Sequence, residues 1–304
     1  MSSASTLQSS TTNRDRRAWR WVCIAFATLA LGLLLILVNN NYSARRGSRA
    51  DFEARLDGAI AQATGWIVSH PRALENNPSL MYMVSDMAKM SDDPRLRALL
   101  NGYDAYLSTV AQPKPVNAVW RRFVNPQAPV PRLTTSDLRS EGFELNWDAY
   151  AVAPAKVELS YTERLNLFSP TRYYWGERHH QLLALVMYRD FNGSSPDLDR
   201  TIDYLSQKIA RDAHYDFRVS DSYIQRTAFI LAADRPDLVR RRWVERILDY
   251  QTPDGSWNYC WYGWCRGVFE FGAPPYPAHT TVQAAWALYL LKYRYPSWIE
   301  ENYR

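Results

Sequence analysis

Gln251-Thr-Pro-Asp-Gly-Ser-Trp257 and, further along, His279-Thr-Thr-Val-Gln-Ala-Ala-Trp-Ala-Leu288 decide how this chain is to be read. The first stretch is composed as a sharp turn. Gly255 suits a position with positive φ, which a residue carrying a Cβ avoids. Pro253 sets φ on the way in and cannot continue a helix. Asp254 can bond the backbone of its own turn. Gln251 can reach backbone groups left open at a helix end, and Trp257 supplies a flat apolar cover. The second stretch opens an apolar helix. One helix therefore ends, the chain turns, and another begins.

Weaker copies precede this one when the chain is aligned on a glutamine. Gln283 lies in Thr280-Thr-Val-Gln-Ala-Ala-Trp-Ala287, Gln225 in Ser222-Tyr-Ile-Gln-Arg-Thr-Ala-Phe229, and Gln181 in Arg178-His-His-Gln-Leu-Leu-Ala-Leu185. Stacked helix pairs recur at roughly 40–50 residues, and the last interval is lengthened by the aromatic loop 257–278. The turn and the inner helices together resemble the repeat of the α/α-toroid proteins, the terpenoid cyclases and protein prenyltransferases, over about residues 177–304. Over 50–110 only the rhythm of helix pairs is shared. The resemblance implies an all-α fold, an N-terminal transmembrane helix followed by an (α/α) toroid, with completeness of the ring left open. A generic helical array is the alternative.

The resemblance also implies places to look for chemistry. Protein prenyltransferases hold zinc with an Asp and a Cys of an Asp-x-Cys turn and a His opening the next inner helix. Asp254 and His279 match two of these positions, but Ser256 stands where the Cys belongs. The expectation is that no metal is held and that Cys260 and Cys265 form a disulfide in an oxidising compartment. Zinc on Asp254, Cys260, Cys265 and His279 is the alternative. The Asp-x-Asp-Asp acid of class II cyclases has its nearest match in Asp197-Leu-Asp-Arg200, which lacks the last carboxylate and reads as a helix start.

Residues Trp21–Val38 form 18 consecutive positions without a charge, the lower limit for a membrane-spanning helix. Trp19, Trp21 and Tyr42 fall where interfacial aromatics belong. The net charge of +5 belongs to the flanks of this segment: seven arginines (14, 16, 17, 20, 45, 46 and 49) stand against Asp15 in residues 1–50. The remainder is close to neutral, which gives no nucleic-acid footprint. The arginines favour a cytoplasmic N-terminus and an extracytoplasmic or periplasmic C-terminal domain, single-pass.

The expected organisation is a disordered polar tail at 1–17, an anchor at 18–38, a linker at 39–50, N-terminal helices at 51–110, a proline-rich connection at 111–172 and toroid repeats at 173–304. Within the connection one helix is expected from Thr134 to Trp147. Phe52, Leu56, Ile60, Ala63 and Ile67 share one helical face.

Two clusters carry the functional expectation. Tyr173-Tyr-Trp-Gly-Glu-Arg-His-His180 opens an inner helix with acid/base groups. Glycan lyases on α/α toroids use Tyr, His, Asn and Arg in this manner, a likeness of fold and residue type. His179, His180, Tyr174, Arg178 and His279 are accordingly the expected catalytic residues. Trp257, Tyr259, Trp261 and Trp264, with Glu177, are the expected ligand-binding residues, since aromatic faces can hold sugar rings or an apolar ligand. The expected activity is processing or binding of an envelope or extracellular glycan. A non-catalytic binding or assembly subunit, with an apolar small-molecule ligand or membrane-protein partners, is the second reading, and a prenyl- or terpenoid-processing enzyme the third.

Overall fold

A computed structural model describes residues 8–43, 47–109, 114–138, 142–171, 178–216, 219–257 and 277–303. Among the described residues the protein is helical, with no strand beyond one isolated bridge between Leu133 and Val157. The helices are α1 (Gln8–Tyr42), α2 (Arg49–Ser69), α3 (Pro78–Ser91), α4 (Pro94–Thr109), α5 (Asn117–Trp120), α6 (Phe143–Val152), α7 (Tyr161–Phe168), α8 (Arg178–Asn192), α9 (Pro196–His214), α10 (Asp221–Ala232), α11 (Arg241–Asp249), α12 (Pro277–Tyr289) and α13 (Pro296–Asn302).

Local chemistry sets their starts. Ser48 with Asp51, and Ser160 with Glu163, form capping boxes at α2 and α7. Asn77, Ser195 and Ser220 accept the first free amides of α3, α9 and α10. Asp197 and Asp199 lie in the first turn of α9 beside Arg200, so Asp197-Leu-Asp-Arg200 is a helix start in the structure as well.

Packing links the helices in a succession of neighbours, called here the inner set, with the others lying against it. Within the inner set α6 lies against α8, α8 against α10, α10 against α12, and α12 against α3, while α3 also meets α6. Outside them α7 covers α6 and α8, α9 covers α8 and α10, α11 touches α10 and α2, and α4 joins α2 to α3. Every residue of α12 from Thr280 onward, continuing through Leu291, is buried. On α2 the expected face, Phe52, Leu56, Ile60, Ala63 and Ile67, is the buried one.

The turn Gln251–Trp257 clamps three helices together. The Gln251 amide donates to Ala59 O of α2 at 3.0 Å and to Gly255 O at 3.1 Å. Gly255 has φ +88°, and a Cβ there would meet the carbonyl oxygen of Gln62 at 2.5 Å. Both the dihedral and the contact demand glycine. Trp257 Nε1 donates to Ile247 O of α11 at 2.7 Å, and its backbone amide donates to Thr281 Oγ1 of α12 at 2.9 Å.

The proline-rich stretch departs from expectation. The helix expected from Thr134 to Trp147 is met only over its last residues, from Phe143. Thr134 instead starts a turn closed by Asp137, whose carboxylate accepts from Thr134 N and Oγ1 at 2.7 Å each. The helix lies later, as α6, where Asn146 through Ala153 are buried and Trp147 Nε1 donates to Glu163 O at 3.2 Å. Residues 111–172 thus contribute an inner helix and not only a connection.

Helix α1 is of another kind. Its segment Ala18–Tyr42 is long and apolar enough to cross a membrane, and its large apolar side chains face outward. Only its last turn enters the domain. Asn41 Nδ2 donates to His214 O of α9 at 2.8 Å, and Trp243 Nε1 of α11 donates to Asn41 Oδ1 at 2.8 Å.

Candidate functional site

The first turns of α8, α10 and α12 carry two linked sets of polar side chains: Asp221, His279 and Gln283 in one, and His179 and His180, with Glu144 of α6, in the other. His279 Nδ1 lies 2.9 Å from Asp221 Oδ1. Its Nε2 lies 3.1 Å from the amide nitrogen of Gln283, one turn further along α12. An Nδ1–H tautomer satisfies both contacts, donating to the carboxylate and accepting from the amide. The rings of His179 and His180 are 4.5 Å apart, and both lie against Phe229 of α10. His180 Nε2 faces Glu144 of α6 at 3.7 Å.

Electrostatics divide these imidazoles. Burial pushes His179 well below the usual histidine value, and the proximity of His180, Arg226 and His279 pushes the same way. His180 is pushed down to about 4, first by burial and then by His279, with Asp221 opposing. Both rings are therefore neutral near neutral pH and able to accept a proton or a hydrogen bond. Asp148 lies one turn beyond Glu144. It is buried, accepts from Ser79 Oγ at 2.5 Å, and is raised to about 7 by desolvation. A carboxyl that keeps its proton near neutrality thus stands on the helix that carries Glu144.

A set of amides surrounds the cluster. Gln181, Gln225 and Gln283 are all buried, and each leaves its Oε1 without a partner among the described residues, as Asn146 leaves its Oδ1. Gln181 spends its nitrogen on Asn166 O, Leu167 O and Ser169 O, closing the C-terminal end of α7. Buried acceptors left open are places for water or for donor groups of a ligand.

The expected site residues fall into four groups. His179, His180 and His279 come together at this mouth. Arg178 turns away from it toward Asp212 of α9, at 3.5 Å. Trp257, expected to bind ligand, is a correction: it is 1% exposed and its indole N–H is bonded to Ile247 O, so it braces the turn and offers no face. Tyr174, Glu177, Tyr259, Trp261 and Trp264 lie outside the described residues, as does the Cys260–Cys265 disulfide. Cys23 is exposed on α1.

Asp254, a member of the alternative zinc set, is committed to its turn. Its Oδ1 accepts from Thr252 Oγ1 at 2.5 Å, Ser256 N at 3.1 Å and Ser256 Oγ at 2.9 Å. These bonds, the Thr252 hydroxyl foremost, hold its carboxyl below the usual range. Among the described residues no group of three His, Cys, Asp or Glu side chains is arranged to hold a metal.

Asp221, Glu144, Asp148 and the role of Gln283 were missed from sequence. One signal was present. Asp221 precedes Gln225 by the same one-turn interval as His279 precedes Gln283, so the glutamine alignment itself places them in one register. No family model matches the chain, and no curated protein or solved structure matches it significantly.

Proposed function

We propose that this chain is a single-pass membrane protein with a cytoplasmic N-terminus, whose extracytoplasmic helix pairs form an α/α toroid, and that the mouth of the toroid binds and processes a glycan of the envelope or extracellular space. The toroid reading is supported by the order of packing, in which α6, α8, α10, α12 and α3 follow one another and α3 returns to α6. The orientation rests on the four arginines ahead of the apolar segment.

The observation that carries the functional reading is the Asp221–His279 pair beside His180 and Glu144. The carboxylate fixes the imidazole tautomer and would stabilise its protonated form, as an orienting acid does for a general base. His180, held neutral, can take a second proton from a sugar hydroxyl or carry a hydrogen bond to it. The open amide oxygens of Gln181, Gln225 and Gln283 are acceptors suited to a hydroxyl-rich ligand. The test is direct: incubate the full-length protein with a panel of envelope and extracellular polysaccharides and follow new chain ends by mass spectrometry. Cleavage or modification of at least one glycan, lost in His180→Ala, supports the reading; an inert panel with no saturable binding refutes it.

A second reading is a non-catalytic binding or assembly subunit. It is favoured by the aromatic filling below the mouth, where Trp286 packs against Tyr82 and Phe229 with centroids 5.8 and 6.1 Å away. Saturable glycan binding without turnover would select it.

A further inference from the structure

The cleft where α1 meets the domain is the second place at which charge and apolar surface are left open together. Its volume is about 280 Å³. Leu34, Leu37 and Val38 of α1 form one wall, and Arg211, His214 and Tyr215, at the C-terminal end of α9, form the other. Resting on the reading of α1 as a membrane span, this places the cleft at one bilayer boundary. The uncharged run Trp21–Val38 is about 27 Å long at 1.5 Å per residue, close to the hydrocarbon thickness. Val38 then sits at the edge of the hydrocarbon, Leu34 one turn inside it, and Asn40 to Tyr42 among the headgroups.

The junction is fixed. The bonds of Asn41 to His214 O and of Trp243 to Asn41 hold the end of the span against α9 and α11. Arg240 lies over the ring of Tyr42 at 4.2 Å. Many of the domain's other arginines are answered by acids, Arg226 by Asp216, Arg241 by Glu245 and Arg55 by Asp249 among them. Arg211 is exposed, has no acidic partner among the described residues and lines the same cleft as Leu34 and Leu37 of α1. An unpaired guanidinium next to an apolar wall at headgroup depth matches one ligand chemistry, a phosphate diester carrying acyl chains.

We propose that this cleft binds one anionic phospholipid, with Arg211 on the phosphate and an acyl chain along Leu34 and Val38. The cleft volume suits a headgroup and the first methylenes, and the bare side of α1 continues the track for the chain. Bound lipid would set the depth and tilt of the domain relative to the membrane.

The test uses the full chain in nanodiscs containing equal phosphatidylglycerol and phosphatidylcholine, with retained lipid read by native mass spectrometry after detergent release. Wild type should retain one phosphatidylglycerol in preference to phosphatidylcholine. Arg211→Glu should reduce that retention at least tenfold, whereas Arg200→Glu, the same charge change on the same helix, should not. Equal retention in Arg211→Glu and wild type would overturn the proposal. So would capture of inorganic phosphate with no preference between the two lipids, which would make the site one for free phosphate. Alkaline carbonate extraction separates the two readings involved. Protein that stays in the membrane while lipid preference is absent refutes the lipid site alone; protein that washes off refutes the span and the lipid site with it.

Discussion

The two ends of the inner helices treat their polar side chains in opposite ways. At the C-terminal end the groups answer one another. Asp86 of α3 accepts from Trp286 Nε1 at 2.7 Å and from Arg294 at 3.1 Å. Tyr82 donates to Asp190 at 2.6 Å, Arg189 pairs with Asp234 at 2.7 Å, and Tyr295 bridges Leu231 O and Asp234. At the N-terminal end imidazoles are held neutral, a carboxyl is pushed up toward neutrality, and four amide oxygens have no partner among the described residues. A buried polar network that is closed rigidifies a fold, and one left partly open costs stability unless something else completes it. The closed end reads as scaffold and the open end as the place where a ligand is received.

The largest effect that could break this contrast is on turnover. His279→Gln keeps hydrogen-bonding capacity but removes the ring that Asp221 orients; glycan turnover should fall by roughly 10²–10⁴, the usual contribution of a positioned acid or base, with the melting temperature close to wild type. Kinetic assay beside thermal denaturation reads both quantities.

Next in size is the turn that clamps α11, α2 and α12. Trp257→Ala should destabilise the fold by about 3–5 kcal/mol, as for a fully buried large aromatic, measured by denaturant titration. Gly255→Ala should destabilise it too, because positive φ and the 2.5 Å approach to Gln62 O act together. A loss of turnover with unchanged stability in either variant would contradict the structural role.

At the closed end Asp86→Ala leaves Trp286 Nε1 without an acceptor, and should cost about 1–3 kcal/mol. Turnover per folded molecule should be unchanged, which separates the ends.

The smallest effects are in pH dependence. Asp148 is raised in the folded state, so the folded protein holds its proton more tightly, and stability should decline from about pH 4 toward about pH 7 through this group. Asp148→Asn should remove that decline. His180 acts in the opposite sense: its value is depressed to about 4, so its contribution is present above the unfolded value of about 6.5 and is lost as pH falls toward 4. His180→Gln should flatten that acid limb. Denaturant midpoints across pH check both slopes.

Much of this architecture was legible because it rests on local chemistry. The turn at Gln251–Trp257 needs a glycine for reasons that a sequence states openly, and α2, α3 and α9 show a 3.6-residue period or a cap. Helix α6 was misplaced for a physical reason. It is short and buried nearly all round from Asn146 to Ala153, so it has no amphipathic stripe to betray it, and a helix of that length draws its stability from tertiary contacts. At the site the histidines were legible as titratable groups opening apolar helices. Asp221 was hidden because an acid at a helix start satisfies the dipole anyway. Trp257 was misassigned because a turn's internal brace and an aromatic ligand platform look alike in sequence.

The central claim, that the open end is the functional one, is tested most directly by comparing glycan turnover per folded molecule in Asp221→Asn and Asp86→Ala. The account predicts a loss of at least a hundredfold in Asp221→Asn and wild-type turnover in Asp86→Ala. Equal turnover in both variants, or loss confined to Asp86→Ala, would contradict it.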